Sequence, residues 1–120
     1  MADERRRSPR INLLRPVPGR VGPAQQPIRV RQMSLGGMLI DTEAPLSPLG
    51  LHEFQLALDT ATLARVSGHV VHSRYVVAEG TVTYTVGVEF AFLSDETAVV
   101  VRRFVTALQE GPSPAPQQAG

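Results

Sequence analysis

The chain has no cysteine, no lysine and no tryptophan among its 120 residues. Without cysteine there can be no disulfide and no thiolate metal site. No apolar run approaches the roughly 20 residues that span a bilayer, so membrane insertion is not expected. The opening MADERRRSPR is charged and lacks the apolar core of a secretory signal, which points to a cytoplasmic protein. Aromatic residues make up only 5% of the chain, so the stacking platforms of single-strand nucleic-acid binders are not obvious in it. No G-x-x-x-x-G-K-[ST] loop occurs, and no Ser–His–Asp order stands out. Asp95 and Glu96 are paired carboxylates, but they are adjacent at a helix start, where capping and the helix dipole account for them. His69 and His72 share a strand whose alternation should turn them to opposite faces, and His52 lies in a distant loop. No metal site, no cofactor and no catalytic constellation is therefore expected, and the chain does not read as an enzyme.

What is present begins with charge layout. Residues 1 to 31 carry eight arginines against Asp3 and Glu4, a net +6, whereas residues 32 to 120 carry four arginines against nine acids, a net −5. Every basic side chain is thus a guanidinium, a planar fork that pairs two-handed with phosphate or a guanine edge and stacks on flat rings. A GC-rich coding sequence also favours Arg over Lys, so the missing lysine does not decide the matter alone. The basic segment reads as a solvated tail, as a loose phosphate contact, or as one part of a specific anion site.

Hydrophobic residues at 42% suffice for one modest core. Residues 11 onward suggest a short first strand, and PVPGRVGPAQQP, 16 to 27, reads as a loop because of its prolines and glycines. IRVR at 28–31, MLID at 38–41 and FQLAL at 54–58 read as strands, with APLSPLG at 44–50 as a loop. ARVSGHVVHSRY at 64–75 is a longer, less regular strand, and VVAEG is its link to the next. The clearest pattern is GTVTYTVGVEFAF, 80 to 92. There Val82, Tyr84, Val86, Val88, Phe90 and Phe92 share one face, with Thr81, Thr83, Thr85, Gly87 and Glu89 on the other. Ser94 is placed to cap a helix carrying Val100, Phe104 and Leu108 on one stripe, with Val101 and Val105 beside it and a stop at Gly111–Pro112. The expected organisation is a flexible basic arm over 1–10, a domain over 11–109 and a disordered Pro-rich tail over 110–120. Antiparallel strands with short links leave open edges unless the sheet closes into a barrel, which the helix can cover at one opening.

QMSLGG, 32 to 37, admits two readings. A glycine pair behind a serine can be a plain turn exploiting positive φ. It can equally let a ligand approach the backbone, with N–H groups free to donate.

RRSPR, 6 to 10, has the spacing R-x-x-x-R, and QMSLGG has the form x-x-S-x-x-G. These two in order, with GHVVHSR at 68–74 and VGVEFAFLSDE at 86–96, resemble the PilZ domain family over residues 4 to 108. The resemblance implies a six-stranded antiparallel β-barrel (a split barrel) with one C-terminal helix. It also implies binding of the bacterial second messenger cyclic di-GMP and relay of that signal to a partner protein that the sequence does not identify, in motility or exopolysaccharide control. Position by position, the ligand-binding residues it implies are Arg6, Arg10, Gln32, Ser34 and Gly37, with Arg5, Arg7 and Gly36 beside them. The arm would order over the barrel on binding. Gln32 stands where the family carries Asp or Asn. A carboxylate can accept from guanine N1–H and N2–H₂ together, whereas an uncharged amide offers one acceptor oxygen. Losing a charged hydrogen bond costs about 1.5–3 kcal/mol, tenfold or more in affinity. The alternative reading is therefore a protein-binding adaptor of this fold with weak or no nucleotide binding.

Overall fold

The alternation at 80–92 reappears as one strand of a closed barrel. In the computed structural model, which describes residues 11–58 and 62–110, six antiparallel strands are followed by one helix. The strands are β1 (Ile11–Val21), β2 (Gln26–Met33), β3 (Gly37–Thr42), β4 (His52–Ala57), β5 (Leu63–Ala78) and β6 (Thr81–Phe92). Around the barrel the order is β1-β2-β3-β6-β5-β4, with β4 returning to β1. The helix α1 spans Asp95–Glu110, one residue past the expected domain boundary. Residues 1–10, with the four arginines Arg5, Arg6, Arg7 and Arg10, and residues 111–120 lie outside the described residues.

One face of each strand supplies the core. Val30, Met33, Met38, Ile40, Phe54, Leu56, Val86 and Val88 are buried inside the barrel. Val101 and Val105 bring the helix onto that core, with Val100 and Phe104 partly buried beside them. The deepest helical stripe is thus Val101–Val105. Ser94 caps the helix as expected: its Oγ accepts the Thr97 N–H at 3.1 Å.

Three local expectations are corrected. Residues 16–21 are strand, and only 22–25 form the turn between β1 and β2. Proline composition suggested a loop, but the prolines occupy places where their missing N–H costs little. Pro16 falls in the register irregularity of β1 between Asn12 and Val17, and Pro18 and Pro27, in register across β1–β2, each lie just outside the ladder on their other side, which begins at Gly19 and Ile28 respectively. The link VVAEG shrinks to Glu79–Gly80, both with positive φ (55° and 79°), a two-residue turn that lets β5 run on to Ala78. The third correction concerns the histidines. The β5–β6 register slips between Val70 and His72, so His69 faces Glu89 and His72 faces Gly87. One extra residue in the strand restores phase, and both histidines point outward. His69 Nε2 lies 3.5 Å from Glu89 Oε1.

Candidate functional site

The turn between β2 and β3 is built by one hydroxyl. Ser34 is 4% exposed, and its Oγ accepts the N–H groups of Gly36 at 3.1 Å and Gly37 at 3.2 Å. The Ser34 N–H closes the loop by donating to the Gly37 carbonyl at 2.9 Å, and the Gly36 carbonyl accepts from Phe90 N–H at 2.9 Å. The two glycine N–H groups are therefore already bonded, contrary to the expectation that they stand free. Positive φ is not the reason for glycine either, since neither Gly36 nor Gly37 adopts it. Gly37 is required by space: a Cβ there would overlap the Val88 carbonyl oxygen across the β3–β6 ladder. Gly36 is exposed, and a Cβ there would meet only Ser34 Oγ, at 4.0 Å. It leaves a bare, side-chain-free surface at the tip of a rigid turn.

Gln32 precedes this turn on β2 and faces outward, paired in register with Leu39 of β3 and Asn12 of β1. The row continues across the wall as Leu39, Gly87 and His72. Gly87 has no side chain, and the His72 ring occupies the position its Cβ would take. The imidazole thus lies over β6, with Leu39 next along the row. From Gln32 to His72 the row crosses three strand spacings of ~4.8 Å, about 14 Å in all. The next row, nearer the other end of the barrel, is Arg29, Asp41, Thr85 and Arg74. Asp41 is held from two sides, by Arg31 Nε at 3.4 Å and Thr85 Oγ1 at 3.2 Å.

The wall beside the turn therefore offers a flat imidazole, an apolar patch and an uncharged amide, with the guanidiniums of Arg29 and Arg74 and the Asp41 carboxylate one outward row further on. Flat rings and anions are the groups that the imidazole and guanidiniums suit. His72 and Arg74 escaped the sequence reading because the bulge at Val71 hides their common face. The contrast of Gly87 with the bulky residues around it was the available signal. Among the described residues no three His, Asp or Glu side chains gather as a metal site. An open groove of about 610 Å³ lies at the far end of β2 and β3, lined by Arg20, Arg29, Asp41, Glu43 and Gln55 among others. It includes neither Gln32 nor the 34–37 turn.

The position of the N-terminal segment bears most directly on the site. Ile11 pairs with Met33 and Asn12 with Gln32. The chain thus enters the barrel alongside the residue that begins the turn, and Arg10 is the residue immediately before this pairing.

The model of the PilZ domain matches residues 4–107. The chain belongs to the PilZ domain family. Its barrel is similar to the PilZ domain with c-di-GMP of YcgR from Escherichia coli, at 18% identity and a TM-score of 0.68, covering 88% of this chain and 92% of that one. It is also similar to the inhibitor of motility MotI/DgrA of Bacillus subtilis (11% identity, TM-score 0.71, 91% of this chain and 53% of that one). A third similar structure is the MrkH–c-di-GMP complex of K. pneumonia (19% identity, TM-score 0.67, 88% and 52%). The chain spans about half the length of the last two. No curated protein matches it. At these identities the likeness establishes the PilZ fold, a closed six-stranded antiparallel barrel with a C-terminal helix. Among the described residues no helix is long and apolar enough to cross a membrane.

Proposed function

We propose that this PilZ domain is a cyclic di-GMP receptor that signals to a partner protein rather than catalysing a reaction. Arg6 and Arg10, flanked by Arg5 and Arg7, would grip the phosphates and guanine faces of the ligand. Gln32 and the Ser34–Gly37 turn would receive its other side, with bare Gly36 allowing close approach. The observation that carries this reading is the register Ile11–Met33 and Asn12–Gln32, which sets the start of β1, next in sequence after Arg10, beside the turn. Two supports stand alongside it: the outward guanidiniums and imidazole on the neighbouring wall, and the c-di-GMP held by the similar structures of YcgR and MrkH. Ser34 acts in this reading by shaping the turn, because its hydroxyl is already engaged by backbone.

Gln32 favours one second reading. It carries no charge, so a weakened or lost nucleotide site in a protein-binding adaptor is the competing outcome.

Calorimetric titration with cyclic di-GMP tests the proposal. Saturable heat that Arg6→Ala or Arg10→Ala removes is the expected result, and a gain of about tenfold in affinity is expected for Gln32→Asp. Absence of heat and of chemical-shift change for both the natural chain and Gln32→Asp would overturn the receptor reading. Binding by Gln32→Asp alone would locate the loss of nucleotide affinity at Gln32 and favour the adaptor reading. Phosphate contact without specificity would instead fall steeply with salt and show no preference for the cyclic dinucleotide.

A further inference from the structure

Strand β5 outruns its neighbour. Its pairing with β4 ends at Gly68–His52, while its pairing with β6 continues to Ala78–Thr81. β3 in turn leaves β6 at Tyr84. Every residue from Val71 to Ala78 is exposed, and along this stretch no described strand pairs with the second edge of β5. Val71, Tyr75, Val76 and Val77 are 52, 66, 49 and 60% exposed.

Proteins blunt such edges with proline, lysine, inward charge or a covering element. VHSRYVVA, 71 to 78, contains no proline and no acid, and its one full charge is Arg74. The tip is also only two strands wide, and an isolated two-stranded ribbon is marginal in water. Its apolar face is already organised, with the Tyr75 and Tyr84 rings 6.2 Å apart and Val77 paired with Val82.

We propose that a second copy of this chain adds to this edge, β5 against β5 antiparallel, giving a two-fold dimer with a four-stranded sheet at its centre. The self-complementarity of the segment selects the occupant. A two-fold axis normal to the sheet opposes residues that point to the same side. Centred on Tyr75, the pairing uses all of 72–78: tyrosine meets tyrosine, Arg74 meets Val76, Ser73 meets Val77 and His72 meets Ala78. No like charges are opposed. Centring on Arg74 would set two guanidiniums face to face, which is destabilising. Centring on Val76 pairs only 74–78. The symmetric arrangement consumes the β5 edge of each copy, so this contact closes at two copies.

Sedimentation of the full chain over a range of concentrations tests this. A reversible monomer–dimer equilibrium is expected. Tyr75→Lys and Tyr75→Glu, each opposing a charge to itself, should raise the dimer dissociation constant at least about tenfold while still unfolding cooperatively at dilutions where the parent is also monomeric, since the side chain is exposed. Mixing the two variants should restore the dimer, because lysine then faces glutamate across the axis. A natural chain that stays monomeric up to about 1 mM overturns the proposal. So does a dimer indifferent to both substitutions, or a mixture no better associated than its parts.

Discussion

Replacing Gly37 with alanine tests whether the β2–β3 turn is held by close packing rather than by backbone freedom. The added Cβ would overlap the Val88 carbonyl oxygen and come within 3.3 Å of Glu89 Cα. Both are backbone atoms in the β3–β6 ladder, so nothing can swing aside, and the two strands must separate. Overpacking costs about 1–3 kcal/mol, and a backbone obstacle places this case at the upper end. Alanine restricts the unfolded chain and returns roughly 0.5–1 kcal/mol. The net loss is about 2 kcal/mol, and at ~4 °C per kcal/mol for a domain of this size the melting temperature should fall by about 8 °C. Gly36→Ala is the control: its Cβ has open space and ordinary φ, so stability should hold or rise slightly. Thermal melts followed by circular dichroism give both values. A Gly37→Ala variant melting within about 2 °C of the parent would refute the packing argument, as would a larger loss at Gly36.

Ser34→Ala should leave the buried Gly37 N–H and the part-buried Gly36 N–H without their acceptor and cost about 1–3 kcal/mol, read as a lower urea midpoint. Its effect on cyclic di-GMP affinity should be smaller than that of Arg6→Ala or Arg10→Ala measured by calorimetry. Gly87→Ala should displace the exposed His72 ring at little cost in melting temperature. If the ring contributes a stacking face, ligand affinity should fall to the level of His72→Ala, and the double variant should lose no more than either alone. Ser94→Ala should cost about 1 kcal/mol in denaturant unfolding through loss of the cap on Thr97 N–H.

The strands with clean alternation were legible. Residues 80–92 alternate because Val86 and Val88 line the core while Glu89 meets water, and the helix announced itself through Ser94 and its valine stripe. Even there, Val82 and Phe92 fit the apolar alternation but are exposed: Val82 lies past the end of β3, and Phe92 follows a register slip that sets it opposite outward Ser67. β1 was obscured because proline and glycine counts do not reveal which side of a strand a missing N–H faces. The outward position of His72 was hidden by a single bulge, which inverts the parity of everything after it. For the candidate site, spacing singled out Ser34 and Gly37, which in the structure shape the β2–β3 turn. It could not assign their tasks, because a hydroxyl that organises a turn and one that greets a ligand leave the same trace in a sequence.

The pairing of Ile11 with Met33 has a kinetic meaning as well. If residues 1–10 complete the proposed site, their link to Ile11 is a short tether, and short tethers hold a group at an effective concentration in the millimolar range. Cutting the chain before Ile11 should therefore leave a barrel that a free peptide of residues 1–10 can complement only when supplied at about that concentration. Joining the peptide back through a long flexible linker should recover binding in proportion to how tightly the linker confines it.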